Sequence, residues 1–529
     1  MSYQKRAALA AGALALVASP GIAQQVPDCA ALGGVSIAAD AISLPTSGAR
    51  VITTVSRPAA EGRPAFCQVN GEIVPVDPDA PPITFQVNLP ENWNGKAVQF
   101  GGGGMNGSLV TGLNNVPGTP ADGPAIPSPL QRNYVTFGSD GGHTGTDAFD
   151  GSFATNDEAL HNFFGDQLHK TRDTAAALVQ AAYGTPIRTQ YFAGGSQGGH
   201  EGFIAIQERP EVYDGVIAYY PVVNYTGAIL SQLRTFEASF GTEGGWLSPE
   251  KQALVQNHVL AACDGMDGAE DGLISDAMAC EAAIDLSDLA CAGDDAPTCL
   301  TQVQIRAVEE MADRDAFEVT LHAGVTEFGS WPVKSGGELW PQMGKTNVLG
   351  EAIIGRADQN FVQYFVLRDP EWTGSAATFD EDGHKARWEE ISADFDSLQA
   401  DLSAFHEAGG KVLWLHGEDD FFYPPSSSRD YWDRIATEMG EETLRDFARL
   451  YLVPGYNHGF GKFNVSWDSL SVLEDWVENG KAPAPNALVA VDANGGAKGR
   501  TRPLCDYPGW PRYTGEGSMN DAANFECNR

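Results

Sequence analysis

Short apolar runs that end in glycine or in acidic residues recur along this chain, and several are separated by segments whose apolar positions return every three to four residues. ARVITTV (49–55) and ITFQVNL (83–89) read as strands bounded by Pro- and Gly-rich turns. KAVQFGGGG (96–104), NYVTFGSDGGH (133–143) and RTQYFAGGSQGG (188–199) each pass from a strand-like run into glycines. KVLWLHGEDD (411–420) and ARLYLVPGYNHG (448–459) again run from strand to loop. LHKTRDTAAALVQAAY (168–183) carries a helical period, and SRDYWDRIATEM (428–439) reads as the helix between the last two strands. Strands alternating with helices predict an α/β fold with a largely parallel sheet. Ligands bind such sheets in the loops beyond the carboxyl ends of the strands, which is where every polar cluster of interest stands.

The rhythm breaks between residues 226 and 404, where irregular helices, several Trp and Phe residues, four cysteines and a tight acidic loop appear. This stretch reads as an insertion, so the core divides into 24–225 and 405–529. Two units also suit about 500 mature residues, more than one hydrophobic core usually organises. Residues 1–23 read as a cleaved export signal. Lys5 and Arg6 precede the apolar AALAAGALALVA, and Gly21-Ile22-Ala23 forms a small-x-small cleavage site. The apolar run is too short to span a bilayer, and no later run is long enough, so the mature chain is expected to be secreted or periplasmic without a membrane anchor.

A formal charge of −37 argues against nucleic acid as a partner, because a phosphate-binding surface needs Lys and Arg. Eight cysteines (Cys29, Cys67, Cys263, Cys280, Cys291, Cys299, Cys505, Cys527) all follow the signal. An even count in an exported chain implies disulfides, and the sequence-local pairing 29–67, 263–280, 291–299 and 505–527 is the economical one. No CxxC or Cys/His knuckle supports zinc instead.

The chemistry centres on GGSQGG. A serine hydroxyl attacks a carbonyl only when a base takes its proton and donors hold the developing oxyanion. G-x-S-x-G forms a strained strand-to-helix turn that presents such a serine, here Ser196, and the glycines give the neighbouring backbone room. The helix starting at Gln197 directs its N–H groups and positive dipole end toward the site. An ordinary glycine-rich turn has the same composition, so partners decide. The α/β-hydrolase order is Ser, then Asp, then His. HGEDD offers Asp419 and Asp420, and GYNHG offers His458, each after a strand. His458 is the candidate base, with an aspartate as its orienting partner. Gly101–Gly104 stand where an oxyanion loop belongs, with one of their N–H groups and that of Gln197 as donors.

These residues together resemble the tannase and feruloyl esterase family, which also contains hydrolases of terephthalate monoesters. The resemblance runs through WNGKAVQFGGGGMNGSL, GSDGGH, GGSQGGHEG, CDGMDGAEDGLISDAMAC, WLHGEDD, LVPGYNHG and the tail RTRPLCDYPGWPRYTGEGSMNDAANFEC, nearly the whole mature chain. It implies Ser196, Asp420 and His458 as the triad, Gly104 and Gln197 as oxyanion donors, and the same four disulfides. It also implies that the insertion is a lid whose acidic loop holds a structural Ca²⁺ through Asp264, Asp267 and Asp271 and the carbonyls of Ala269 and Leu273. Hard oxygen donors from one short loop suit Ca²⁺. The spacing is not that of an EF-hand, since Met278 stands where a closing glutamate is expected.

The chain departs from the family at Gly195 and Gly459, where a bridged pair of cysteines usually flanks the serine and the histidine. Packing is then expected to replace the staple. The substrate contacts are less defined. Arg356, in LGEAIIGRADQNF, stands near the position of a carboxylate-binding arginine, but also fits an ordinary surface arginine. Trp340 and Phe361 are candidates to line an aromatic-acid pocket, although lid aromatics serve equally well as core. The expected function is a secreted serine esterase acting on small aromatic esters of feruloyl, galloyl or terephthalate-monoester type, with no organic cofactor. The alternatives are a peptidase on the same fold and a secreted, non-catalytic binding protein, the latter at odds with a complete triad.

Overall fold

The computed structural model describes residues 27–60, 62–339 and 354–529; the export segment read at 1–23 and Trp340 lie outside them. One sheet of ten strands organises the molecule: β1 (Ser36–Ile37), β2 (Ala49–Arg57), β3 (Phe66–Ile73), β4 (Ile83–Pro90), β5 (Lys96–Phe100), β6 (Val135–Ser139), β7 (Thr189–Gly195), β8 (Gly215–Tyr219), β9 (Lys411–Gly417) and β10 (Ala448–Val453). Their spatial order is β1-β2-β3-β4-β6-β5-β7-β8-β9-β10. The first four strands pair antiparallel and β4 joins β6 antiparallel, whereas every pairing from β6 to β10 is parallel. The antiparallel part follows from short connections between β2, β3 and β4, which permit only a reversal of direction. The parallel part reads as continuous apolar runs because both its faces are covered; β6, β8 and β10 are buried at every position.

Register places the loops. Phe100 pairs with Ala193, Gly195 with Tyr219, Tyr219 with Leu415, and Gly417 with Val453. The carboxyl ends of β5, β7, β8, β9 and β10 therefore lie along one edge, and the segments that follow them begin close together. Helix Gln167–Tyr183, ended by Gly184 in the left-handed region, and helices Gln197–Glu208 and Pro425–Met439 connect these strands.

β8 ends at Tyr219 and β9 begins at Lys411, so the irregular segment is an excursion between adjacent parallel strands. It does not build a separate core. Phe361, Phe365, Trp388 and Phe395 belong to the same buried cluster as Phe203, Trp414 and Tyr431 of the sheet region. Burying side chains of this size stabilises by about 2–3 kcal/mol each, which fastens the insertion to the sheet.

All four expected disulfides form: Cys29–Cys67, Cys263–Cys280, Cys291–Cys299 and Cys505–Cys527. Each closes a short loop and contributes about 2–4 kcal/mol. The last ties Cys505, just after the strand Thr501–Leu504, to Cys527 in the strand Phe525–Asn528 of the tail, which returns to the acidic loop. There Tyr513 N–H donates to the Asp267 carbonyl at 2.9 Å. Among the described residues no helix is long and apolar enough to cross a membrane.

Candidate active site

Ser196 sits between β7 and helix Gln197–Glu208 with φ 60° and ψ −125°, outside the ordinary regions for a residue with a side chain. Such backbone costs about 1–3 kcal/mol and persists only where its surroundings hold it. Here Ser196 N–H donates to the Tyr219 carbonyl at 3.0 Å, and the Ser196 carbonyl accepts from His200 N–H at 3.0 Å. The glycines have a steric reason. A Cβ on Gly194 would lie 2.3 Å from the Gly198 backbone, and one on Gly198 would lie 2.7 Å from the Gly102 carbonyl oxygen. The strand, the helix and the glycine loop thus touch backbone to backbone.

Asp420 and Asp419 diverge completely. His458 Nδ1–H donates to Asp420 Oδ2 at 2.7 Å. Asp420 Oδ1 accepts from the N–H groups of Phe422 (2.9 Å) and Tyr423 (3.1 Å). His416 Nε2 lies 3.3 Å from Oδ2 and donates to the Tyr423 carbonyl at 2.9 Å. Burial opposes ionisation of Asp420, but His458 and His416 outweigh it and hold the carboxyl below its usual range. Asp419 instead accepts from Gly455 N–H at 3.2 Å, and burial pushes its carboxyl up to about 7. One aspartate faces the imidazole while its neighbour braces the loop that carries it. Asn457 joins the two loops, its Oδ1 accepting from His458 N–H at 2.8 Å and Phe421 N–H at 3.3 Å.

Ser196, Gln197, His458 and Gly101–Gly104 all line one cavity of about 910 Å³. Gly101 N–H donates to the Ala193 carbonyl and Gly102 N–H to Glu201 Oε2 (2.9 Å), which leaves the far end of the glycine turn, with Gly104, facing the cavity. Glu201, which sequence reasoning missed, also accepts from Asn106 Nδ2 at 2.7 Å and Gln167 Nε2 at 3.2 Å. Burial pushes its carboxyl up to about 7, against the pull of those donors. It stands five residues after the serine inside GGSQGGHEG, and nothing local marks it as the anchor of a loop ninety-nine residues away.

The inserted segment supplies Ala228, Ile229 and Ala357 to the cavity wall, and Phe149, Tyr225, Phe422 and Tyr423 form its aromatic lining. Phe361 does not stand on that wall. It is fully buried between Tyr225 (5.5 Å) and Phe365 (4.6 Å), a core residue one ring removed. Arg356 is half exposed and forms an ion pair with Asp147, a lining residue at the cavity. Gly195 and Gly459 face a common neighbour, Tyr220, whose ring stands 4.3 Å from the His458 imidazole.

The acidic loop turns its carboxylates inward. Asp264 Oδ1 accepts from Asp271 N–H (3.2 Å) and Gly272 N–H (2.8 Å), and Asp267 Oδ1 accepts from Ala269 N–H (2.9 Å). Asp271 pairs with Arg502 of the tail and accepts Leu273 N–H on Oδ1 at 3.1 Å. Among the described residues no three Asp, Glu, His or Cys side chains converge as a metal site. Burial raises Asp267 to about 6, with the Asp271 charge adding to it. Asp267 is buried and Asp264 and Asp271 are partly so, and crowded oxygen donors are the chemistry a hard cation relieves, although the three carboxylates do not close on one point.

The family model for tannase and feruloyl esterase matches residues 67–528. The chain belongs to the tannase and feruloyl esterase family. An uncharacterized esterase of Agrobacterium fabrum is 38% identical over 94% of this chain and 92% of its own length. The mono(2-hydroxyethyl) terephthalate hydrolase of Piscinibacter sakaiensis is 30% identical over 89% of this chain and 86% of its own. The crystal structure of feruloyl esterase B from Aspergillus oryzae superposes with a TM-score of 0.77, at 23% identity, over 92% of this chain and 98% of that one. Family membership makes the protein a carboxylic ester hydrolase with an α/β-hydrolase fold, acting on small-molecule esters.

Proposed function

We propose that the protein is an exported serine esterase that hydrolyses esters of neutral aromatic acids through an acyl-enzyme. The observation that carries this reading is the 2.7 Å hydrogen bond from His458 to Asp420 on a cavity that also holds Ser196 in its strained turn. His458, with Nδ1–H on Asp420, presents Nε2 as base. Ser196 Oγ attacks the ester carbonyl as His458 takes its proton, and the N–H groups of Gly104 and Gln197 hold the oxyanion. His458 returns the proton to the leaving alcohol. Water, activated by the same imidazole, then releases the acid and restores Ser196.

The aromatic and aliphatic wall suits a planar aromatic acyl group, and about 910 Å³ exceeds what one such group fills. Residues 226–404 act as the lid, since they provide one side of that wall. The neutral acyl group follows from Arg356. Its guanidinium is already paired with Asp147, and among the described residues no lysine or arginine lines the cavity. A second carboxylate on the substrate would be buried without a partner. Methyl ferulate or methyl gallate should therefore exceed the terephthalate monoester by about tenfold or more in kcat/KM, a difference of about 1.4 kcal/mol in transition-state binding. Preference for the terephthalate monoester, abolished by Arg356→Ala, would overturn the neutral assignment.

Export is supported by the segment at 1–23 and by four disulfides, which persist in oxidising compartments. The acidic loop takes a structural Ca²⁺ through Asp264, Asp267 and Asp271 with the carbonyls of Ala269 and Leu273, which bind it and orient the loop against the tail. Calcium should then raise Tm and EDTA lower it. At a concentration about a hundredfold above Kd the stabilisation is about 2.7 kcal/mol, and Asp267→Ala should remove the response. A Tm indifferent to millimolar calcium in the EDTA-treated protein defeats the assignment.

A further inference from the structure

Tyr220 stands one residue beyond β8, between the turn that carries Ser196 and the loop that carries His458. Its φ of 35° lies in the left-handed region, and it precedes Pro221, which restricts its backbone further. Strained backbone of this kind persists where neighbours over-determine it and gathers at functional sites. Its neighbours here are the catalytic elements themselves. Tyr220 N–H donates to the Leu415 carbonyl at 2.7 Å in β9, and the preceding residue, Tyr219, accepts the Ser196 N–H.

The ring occupies space that two glycines leave open. A Cβ on Gly195 would lie 2.9 Å from the ring, and a Cβ on Gly459 would lie 3.0 Å from its hydroxyl oxygen. Side chains at those positions and the Tyr220 ring exclude one another. The ring centroid is 4.3 Å from that of His458, at an interplanar angle of 40°, and Phe422 lies 5.3 Å from the same imidazole. Burial pushes the Tyr220 phenol up to about 12, so it stays neutral. None of the four disulfides reaches the histidine loop, whose Gly455, Gly459 and Gly461 all have positive φ and whose Phe460 is 47% exposed. The imidazole itself is held by its hydrogen bond to Asp420 and by the rings of Tyr220 and Phe422, while Asn457 holds the backbone of its loop.

We propose that Tyr220 is a positioning residue for ester hydrolysis: its ring, lodged between Gly195 and Gly459, holds the His458 imidazole toward Asp420 and fixes the spacing of the serine and histidine loops. The proposal rests on the triad reading above. It acts through packing, so a phenyl ring suffices and the hydroxyl is secondary.

The test uses the full-length protein with methyl ferulate as substrate. It compares Tyr220→Ala, Tyr220→Leu and Tyr220→Phe by kcat, KM, Tm and the low-field proton resonance of the His458–Asp420 hydrogen bond. Loosening a base by about an ångström costs roughly a hundredfold, so Tyr220→Ala should lose about ten- to a hundredfold in kcat with KM within about twofold. Its low-field proton should broaden or vanish. Tyr220→Phe should recover kcat to within about threefold and restore the proton signal. If Tyr220→Ala does not fold, Tyr220→Leu decides: it fills the space without a flat ring and should lose kcat at unchanged KM. Wild-type kcat and an unaltered proton in the alanine or leucine variant overturns the proposal, as does equal impairment of the phenylalanine and alanine variants. Ser196→Ala runs beside them. Turnover persisting there removes the triad itself, whereas an inactive Ser196→Ala with a fully active Tyr220→Ala removes only the role of Tyr220.

Discussion

Ser196→Ala should lower kcat about a millionfold while the protein stays folded. Loss of a serine nucleophile leaves only binding and the oxyanion donors to accelerate attack by water, a residual of about 10³–10⁴ over the uncatalysed rate. The substitution should be mild for the fold. Ser196 makes no side-chain cap on the helix that follows it, and its backbone bonds to Tyr219 and His200 do not involve the hydroxyl. Alanine meets the same strain at φ 60°, so Tm should shift by only a few degrees. A serine-directed phosphonate should label the native protein one-to-one and the variant not at all. Turnover that survives the substitution would end the acyl-enzyme mechanism.

Asp420→Asn should lower kcat about ten-thousandfold with KM little changed. The amide oxygen can still accept from Phe422 and Tyr423 N–H, which keeps the loop in place. Its NH₂ group, however, would meet Nδ1 of His458, which must then carry its proton on Nε2 and cannot accept one from Ser196. Asp419→Asn, on the adjacent residue, should stay within about threefold of the native kcat, because that side chain accepts from Gly455 N–H and pairs with Lys462 at 3.9 Å but does not touch His458. Stability should separate the pair as well. The Asp420 carboxyl is depressed in the folded protein, so its contribution is present above the unfolded value near 3.8 and lost as pH falls through the lower folded one. Asp420→Asn should forfeit that contribution at neutral pH. Asp419 is raised to about 7, so it weakens the fold as pH climbs from near 3.8 toward 7, and its replacement should relieve that trend in Tm-versus-pH curves. Equal loss of kcat in both variants would refute the division of labour.

Several features were legible without coordinates because short-range geometry sets them. The glycine pattern around Ser196 reflects contacts closed within five residues and a neighbouring turn. The runs ending at Phe100, Gly195, Gly417 and Val453 announce strands because burial on both faces demands continuous apolar side chains. The four cysteine pairs are near neighbours in sequence and close short loops. Asp419 and Asp420 were different. Both follow the same strand, and only the turn at Gly417–Phe422 decides which carboxylate faces His458. Two neighbouring rings divided in the same way: Phe361 entered the core while Tyr225, beside it, reached the cavity.

The sequence by itself determined the alternation of elements, the residue types at each strand end and the local cross-links, because these depend on backbone periodicity and on loops of a few tens of residues. Tertiary structure alone decided that Glu201 anchors the glycine loop, that Tyr220 fills the space at Gly195 and Gly459, and that Arg356 meets Asp147. Each of these pairings joins segments far apart in the chain or turns on which way a side chain points. Both are settled by strand register and close packing, and neither leaves a periodic trace in the order of amino acids.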